Sequence, residues 1–348
     1  MMKKPRMKTA LFQASKLSTL DYQKIGQRLF NGATCVVPTE TVYGLAANGL
    51  DPTAIAKIYA AKGRPSDNPL ILHIANSTML KQIVTDISED AKTLMDAFWP
   101  GPLTLIFKKA TRVPYAVTGG LDSVAVRMPS HPVMHALIHA ANTPLAAPSA
   151  NLSGRPSSTT FAHVKNDLFG RVDMIIDGGE SMIGLESTVV DVSRENVEIL
   201  RPGQIDQAML EATLKKPVPY TQSTVDIPRS PGLKYGHYQP HGSVELILGD
   251  TPEIFEYLMR QTAPENTRVI CPIEWAEHFS FLKVSPLGSI DDSASIMRDL
   301  YARLREMDDD DVEMIYLLAR PDLNAALLDR MKKAANHHVT HLVESEDH

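Results

Sequence analysis

Apolar residues recur along the chain in two rhythms, helical spacings and short adjacent runs, and together they predict alternating helices and strands. Leu20, Ile25 and Leu29 mark a first helix that Asn31-Gly32 ends, and Cys35-Val36-Val37 reads as a short buried strand. A second helix is better marked, with Asp51 at its N-cap, Pro52 in the first turn, Ile55, Ile58 and Tyr59 on one face, and Gly63 as its stop. Strands follow at 70–74, 103–107, 124–128 and 144–147, with a helix at 131–142 and a small-residue loop over 148–154. Further strands at 174–176, 188–192 and 197–200, and a helix at 206–214, complete a mixed α/β sheet of seven or more strands flanked by helices.

The rhythm breaks after that helix. Residues 216–243 hold five Pro, three Tyr and few aliphatics, the composition of an extended linker rather than a packed element. From Val244 a second alternation begins, with strands at 244–248, 268–271, 282–285 and 313–318 and helices at 252–261, 273–280, 292–306 and 322–335. Such regular spacing predicts a small doubly wound, Rossmann-like parallel sheet. G-x-G-x-x-G is missing, so a dinucleotide fold is not supported. The predicted organisation is a larger domain over 10–214, a linker or lid over 215–243 and a smaller α/β domain over 244–340.

Composition narrows the class. Of 348 residues, 43% are hydrophobic and 22% charged, the balance of a globular chain. The longest stretch without Asp, Glu, Lys or Arg, 128–154, carries four Pro, three His and two Asn, so it is no bilayer helix. The basic start leads only to Ala10, Leu11 and Phe12 before polar residues return, too little for a secretory signal. Cys35 and Cys271 stand far apart, which excludes a disulfide framework and a cysteine-rich zinc site. A cytoplasmic protein is expected. Charge changes the picture when it is split: residues 244–348 hold 10 Lys+Arg against 21 Asp+Glu, and residues 1–243 hold 25 against 20. An anionic ligand belongs with the first part. The acidic run Asp308–Asp311 reads as a solvated loop.

Neither a P-loop, H-E-x-x-H, G-x-S-x-G nor a kinase signature set is present. Polar clusters stand instead at strand and helix ends. Pro38-Thr39-Glu40-Thr41-Val42-Tyr43-Gly44-Leu45 puts two hydroxyls and a carboxylate at a strand exit, which fits either a capped turn or a holder for a small zwitterion. Lys62 and Arg64 flank Gly63 in Lys62-Gly63-Arg64-Pro65-Ser66-Asp67-Asn68. Cations there answer the helix macrodipole, but a rigid pair on a tight turn also suits a triphosphate, Arg as a fork and Lys as a point charge. Pro148-Ser149-Ala150-Asn151-Leu152-Ser153-Gly154 offers Ser and Asn donors for phosphate oxygens, or a turn closed on its own backbone.

Alternation along 124–128 turns Val124 and Val126 one way and Ala125 with Arg127 the other, toward an anion or simply toward solvent. Glu186-Ser187-Thr188 and Arg201-Pro202-Gly203 occupy two further strand ends. His131, His135 and His139 recur every four residues, yet no Asp, Glu or Cys in 128–154 completes a metal site, so they read as a helix face. His73, in a strand soon after the Lys62 turn, is the better candidate for ligand contact. His337, His338 and His341 read as solvent-facing.

In their order these clusters, with Trp99-Pro100-Gly101-Pro102-Leu103-Thr104 and Val126-Arg127-Met128-Pro129, resemble the YrdC-type domain. Over about residues 10–340 the chain is similar to the long form of the threonylcarbamoyl-AMP synthase family. Ser230-Pro231-Gly232-Leu233-Lys234-Tyr235-Gly236-His237-Tyr238 resembles that form's linker, departing at Gln239-Pro240, where the family has Ala-Pro. The resemblance implies an N-terminal YrdC-type twisted mixed sheet and a smaller C-terminal domain. It implies a nucleotidyltransferase that turns L-threonine, bicarbonate or carbon dioxide, and ATP into L-threonylcarbamoyl-AMP and pyrophosphate.

Residue roles follow from the same resemblance. Thr39, His73, Arg127, Ala147 and Ser187 would line a threonine site. Lys62, Arg64, Ser66, Ser123, Ser149, Asn151, Ser157 and Arg201 would hold ATP, with Lys62 and Arg64 as the catalytic cations and Tyr235 closing over the nucleotide as a lid. Mg²⁺ is expected with the ATP rather than on protein ligands, and no organic cofactor is implied. The implied partners are a downstream tRNA threonylcarbamoyl transferase, with direct tRNA contact as an open option, and no membrane. Lys62 is expected to be an exposed cation, so that Lys62→Ala abolishes turnover and leaves the fold intact.

Two alternatives stand beside this. Carbamoyl transfer of the hydrogenase-maturation kind needs cysteine-rich zinc fingers, which two isolated Cys exclude. A double-stranded RNA or tRNA-binding module without catalysis fits the positive excess of the first part. Its phosphate contacts would weaken steeply with salt, whereas adenylation of a small substrate would respond far less.

Overall fold

The computed structural model describes residues 7–221, 238–262 and 264–342, and their contacts group them into two units. One takes residues up to 153 and from 157 to 221; the other takes 154–156 and what is described from 238 onward.

The first unit is built on a mixed sheet. Among the described residues its strands are β1 (Ala10–Gln13), β2 (Cys35–Val37), β3 (Gly44–Asn48), β4 (Ile71–His73), β5 (Leu103–Lys108), β6 (Ser123–Arg127), β7 (Leu145–Ala146), β8 (Met174–Asp177), β9 (Thr188–Asp191) and β10 (Glu198–Arg201). Their spatial order is β1-β8-β2-β3-β7-β4-β6-β5-β9-β10. β8 runs parallel to β1 and β2, β6 to β4, and β9 to β5; the remaining pairs are antiparallel. Val124 and Val126 of β6 join the main core with Leu72, Leu105 and Leu137, while Ala125 packs on the opposite face with Ile71, Ile106, Val189 and Leu200. Both faces of the central strands are therefore covered, each fully buried Val or Leu contributing roughly 1.5–3 kcal/mol.

Register decides which side chains stand together. His73 on β4 pairs with Arg127 on β6, and Arg127 pairs with Thr104 on β5. With a side-chain period of two, these three form one row across adjacent strands, on the face of Ala125.

Several elements go beyond the sequence pattern. β3 reads Gly-Leu-Ala-Ala-Asn, without a β-branched residue, and is held extended by antiparallel neighbours on both sides. β1 and the helices Ser77–Ile83, Glu89–Phe98 and Phe161–Leu168 are also additions. Residues 217–221, read from composition as linker, lie along β10: Ile199 N donates to Pro219 O, Thr221 N donates to Ile199 O, and Val218 is buried.

The second unit holds a parallel sheet of β11 (Ser243–Leu248), β12 (Thr267–Cys271), β13 (Lys283–Pro286), β14 (Met314–Ala319) and β15 (Val339–His341), in the order β13-β12-β14-β11-β15. Ile247, Ile254, Val269, Phe279 and Leu318 belong to its core. The helix expected over 273–280 is instead one 3₁₀ turn, Ile273–Trp275, followed by tight turns from His278 N to Trp275 O and Leu282 N to Phe279 O. Trp275 and Phe279 both reach the core from this short connection, and Ser289 Oγ and Ile290 N pin Glu274.

Nor is the whole acidic run a solvated loop. The helix Ser293–Asp309 continues through Asp308, whose buried carboxylate meets Arg155 Nη2 at 2.8 Å and accepts from His241 N at 2.6 Å. Arg305 of the same helix donates from Nε and Nη2 to Pro156 O, which ties residues 154–156 into this unit. No helix among the described residues is long and apolar enough to cross a membrane.

Candidate functional site

The row of His73, Arg127 and Thr104 meets the turn that follows β2. Thr39 Oγ1 donates to Val42 O at 2.6 Å and lies 2.9 Å from Thr41 Oγ1, closing the turn on itself. Thr41 Oγ1 accepts from Arg127 Nη1 at 2.8 Å, while Arg127 Nε donates to Gly101 O at 3.1 Å. Arg127 is only 3% exposed, which overturns the solvent-facing option for this strand face. Its Nη2 lies 2.6 Å from Glu40 Oε1, and Ser130 N donates to the same oxygen at 3.0 Å.

Burial would raise the Glu40 carboxyl, but the Arg127 guanidinium and the Ser130 N–H overcome it and hold it down at about 2. His73 is pushed down to about 3, by burial first and the Arg127 charge second, so its ring is neutral near pH 7. His73 Nδ1 lies 3.2 Å from Ile71 O. One cation, one anion, a neutral imidazole and hydroxyls thus meet where the row joins the turn after β2.

On the far side of Thr104, its Oγ1 lies 2.7 Å from Ser187 Oγ. Arg201 grips Ser187 O with Nε at 3.1 Å and Nη2 at 2.9 Å, and Nη2 reaches Ser187 Oγ at 3.2 Å. Gly203 permits the approach that follows: a Cβ there would lie 2.4 Å from Thr188 N. Ala147 N donates to Ile71 O at 3.1 Å, beside the strand of His73. Thr39, Arg127 and Ser187 are therefore brought into one region, with His73 and Ala147 on neighbouring backbone.

A second cluster forms at the end of the helix Pro52–Lys62. Asp51 Oδ1 caps it by accepting from Thr53 N at 2.8 Å, and Gly63 ends it at a φ of 64°. Lys62 is not exposed as expected; it is buried, 3% exposed, because the 148–158 loop covers the helix end. Its Nζ donates to Ser149 O, to Asn151 O at 2.8 Å and to Asn151 Oδ1 at 3.4 Å. Ser158 Oγ donates to Ala150 O at 2.9 Å, and Ser157 Oγ donates to Glu186 Oε1, lacing the loop together.

Arg64, half-buried, donates from Nη2 to Pro69 O at 3.2 Å, and Ser66 is exposed on the same turn. Ser123 opens β6 opposite Lys108, whereas Arg127 closes it opposite Thr104, so the two lie roughly 13 Å apart at strand rise. The turn before Ser123 meets the Ser66 turn instead: a Cβ at Gly119 would lie 2.9 Å from Asp67 O. Tyr235 and the rest of 230–237 lie outside the described residues.

His131 caps the helix Pro132–Ala141, and His135 Nε2 lies 3.1 Å from Ala75 O. Among the described residues no three His, Cys, Asp or Glu side chains group as a metal site. Sequence reasoning offers Glu40 and Thr41 only as parts of a turn that either caps itself or holds a small zwitterion, and quotes Thr104 within a motif without giving it a role of its own. The signal for Thr104 is a polar residue between Leu103 and Leu105 in a strand that is otherwise apolar through Phe107.

Known proteins resemble this chain in both parts. Residues 27–203 match the Sua5, YciO and YrdC profile described as telomere recombination, and residues 205–336 match that of threonylcarbamoyl-AMP synthase, C-terminal domain. A threonylcarbamoyl-AMP synthase of Pyrococcus abyssi is 40% identical over 317 residues, spanning 88% of this chain and 92% of its own. One from Bacillus subtilis is 41% identical over 330 residues, spanning 92% and 95%. The crystal structure of P. abyssi Sua5 complexed with L-threonine matches with a TM-score of 0.89 at 36% identity, covering 97% of this chain and 100% of that one.

Proposed function

The chain belongs to the threonylcarbamoyl-AMP synthase family, and from that premise we propose that it is the nucleotidyltransferase that makes L-threonylcarbamoyl-AMP and pyrophosphate from L-threonine, bicarbonate or carbon dioxide, and ATP. The observation that supports this best is the division of charge in the first unit. Arg127 balanced by Glu40 suits a zwitterion, and the cations Lys62, Arg64 and Arg201 of the same unit suit a triphosphate.

In this reading the threonine amine adds to carbon dioxide as the free base; the nitrogen lone pair forms the N–C bond, its proton leaves to solvent, and a carbamate results. A carbamate oxygen then attacks the α-phosphorus, and the bond from that phosphorus to the bridging oxygen breaks to release pyrophosphate. No protein nucleophile is required. The work is holding two anions in line, for which effective molarity supplies roughly 7–11 kcal/mol. Arg127 pairs with the threonine carboxylate, beside Thr39, His73, Ala147 and Ser187. Lys62, Arg64 and Arg201 offset charge on the leaving pyrophosphate, a phosphate oxygen replacing one of the carbonyls that Lys62 now holds. Ser149, Asn151 and Ser157 donate from the loop, with Ser66 and Ser123 on facing turns.

Mg²⁺ in this reading enters with the nucleotide, where it would neutralise charge and polarise the leaving group. We place the protein in the cytoplasm, upstream of a transferase that carries the threonylcarbamoyl group to tRNA. The test is pyrophosphate release from ATP with threonine and bicarbonate supplied together and singly. Release that needs both is expected; equal release with either one alone overturns the reading.

A further inference from the structure

Glu40 holds an oxygen in reserve, and Arg127 holds a nitrogen committed only to the ion pair with Glu40. Glu40 Oε1 serves both Arg127 and Ser130, but Oε2, on a side chain only 7% exposed, has no hydrogen-bond partner. Arg127 Nη2, buried beside it, is held only by the ion pair with Glu40 Oε1 at 2.6 Å, which lies outside hydrogen-bond geometry. Buried polar atoms without partners are rare in native structures, and here a carboxylate oxygen without one stands beside a guanidinium donor that only the ion pair engages. That pairing mirrors an α-amino acid, whose ammonium and carboxylate are also neighbours. The balance of charge fits as well, a neutral pair for a neutral zwitterion, with His73 uncharged next to it.

Resting on the function proposed above, we propose that Glu40 is the positioning residue for the threonine ammonium: Oε2 accepts one of its N–H bonds while Arg127 takes the carboxylate. The carboxyl of Glu40, held down at about 2, stays ionised and does not take the amine's proton, so its role is selection and placement of the amino acid.

The probe is 3-hydroxybutanoate, which is threonine with the ammonium replaced by hydrogen. Calorimetric titration of the full chain is expected to show that the native protein prefers L-threonine. Glu40→Gln keeps the size of the side chain and an oxygen for Ser130 N. It is expected to weaken L-threonine about 10- to 100-fold. Binding of 3-hydroxybutanoate should stay the same or tighten, and ATP affinity should not move. Loss of both ligands in equal measure would mean that Glu40 only orders Arg127, and an unchanged threonine affinity would mean that the ammonium sits elsewhere; either overturns the inference. Glu40→Asp, which retains the charge, should keep the preference for threonine, and it replaces the Gln variant if that one fails to fold. Should the native protein bind no threonine and release no pyrophosphate, the functional reading falls too; threonine binding indifferent to Glu40→Gln sinks this inference alone.

Discussion

Lys62 is the residue whose character changes most between chain and fold. Beside Gly63 at a helix end it reads as an exposed cation; folded, it is buried over Ser149 O and Asn151 O. Lys62→Ala therefore strips two buried carbonyls of their donor, a loss of about 1–3 kcal/mol, as well as removing a charge from the nucleotide. A thermal melt shifted down by several degrees, together with lost pyrophosphate release, is the expected result; an unshifted melt would show that water replaces the ammonium without cost. His73 governs a pH response. Folded, its ring stays neutral down to about 3, whereas unfolded it takes a proton near 6.5. Between those values the unfolded chain binds the extra proton, so stability that is complete above 6.5 drains away as the pH falls toward 3. Glu40 acts in the same sense lower down, its contribution present above about 4.5 and lost as the pH falls through about 2. Urea midpoints measured across this range should fall less steeply for His73→Asn than for the native protein.

Elements differ in how plainly the chain announces them. The helix Pro52–Lys62 carries its own start and stop in Asp51, Pro52 and Gly63, and it forms where those residues say. β3 does the opposite: nothing local in Gly-Leu-Ala-Ala-Asn favours a strand, and only its partners on either side hold it extended. The segment 273–280 forms only the 3₁₀ turn Ile273–Trp275, although Trp275 and Phe279 stand at the spacing of one helix face and are both buried. A close approach of strand ends is exposed by Gly203, where any side chain meets Thr188 N. Gly203→Ala is expected to cost about 1–3 kcal/mol and to displace Ser187, lowering threonine affinity. Titration of the folded variant checks this, and native affinity would show that the strand end yields without moving Ser187.

At the scale of the molecule, two units with separate cores predict that heat unfolds the chain in more than one step. Phe279, fully buried in the second core, offers a way to tell the steps apart. Phe279→Ala should cost about 3–5 kcal/mol in that unit alone, lowering one calorimetric transition and leaving the other in place. Threonine should raise only the transition that the substitution leaves untouched. A single transition moving as one would contradict the independence of the cores.

Helix caps, most strand positions, the break into two α/β patterns and the uneven spread of charge follow from the sequence by itself, because each depends on residues within a few positions of one another. Clusters such as Thr39–Thr41 and Lys62–Arg64 were legible for the same reason. The tertiary structure alone decided that His73, Arg127 and Thr104 form one row, that Glu40 pairs with Arg127, and that Lys62 is buried. These joint positions join segments distant in the chain. Strand register, where one residue's shift turns every side chain to the other face, sets the row, while the turn after β2 brings Glu40 to Arg127 and the 148–158 loop covers Lys62.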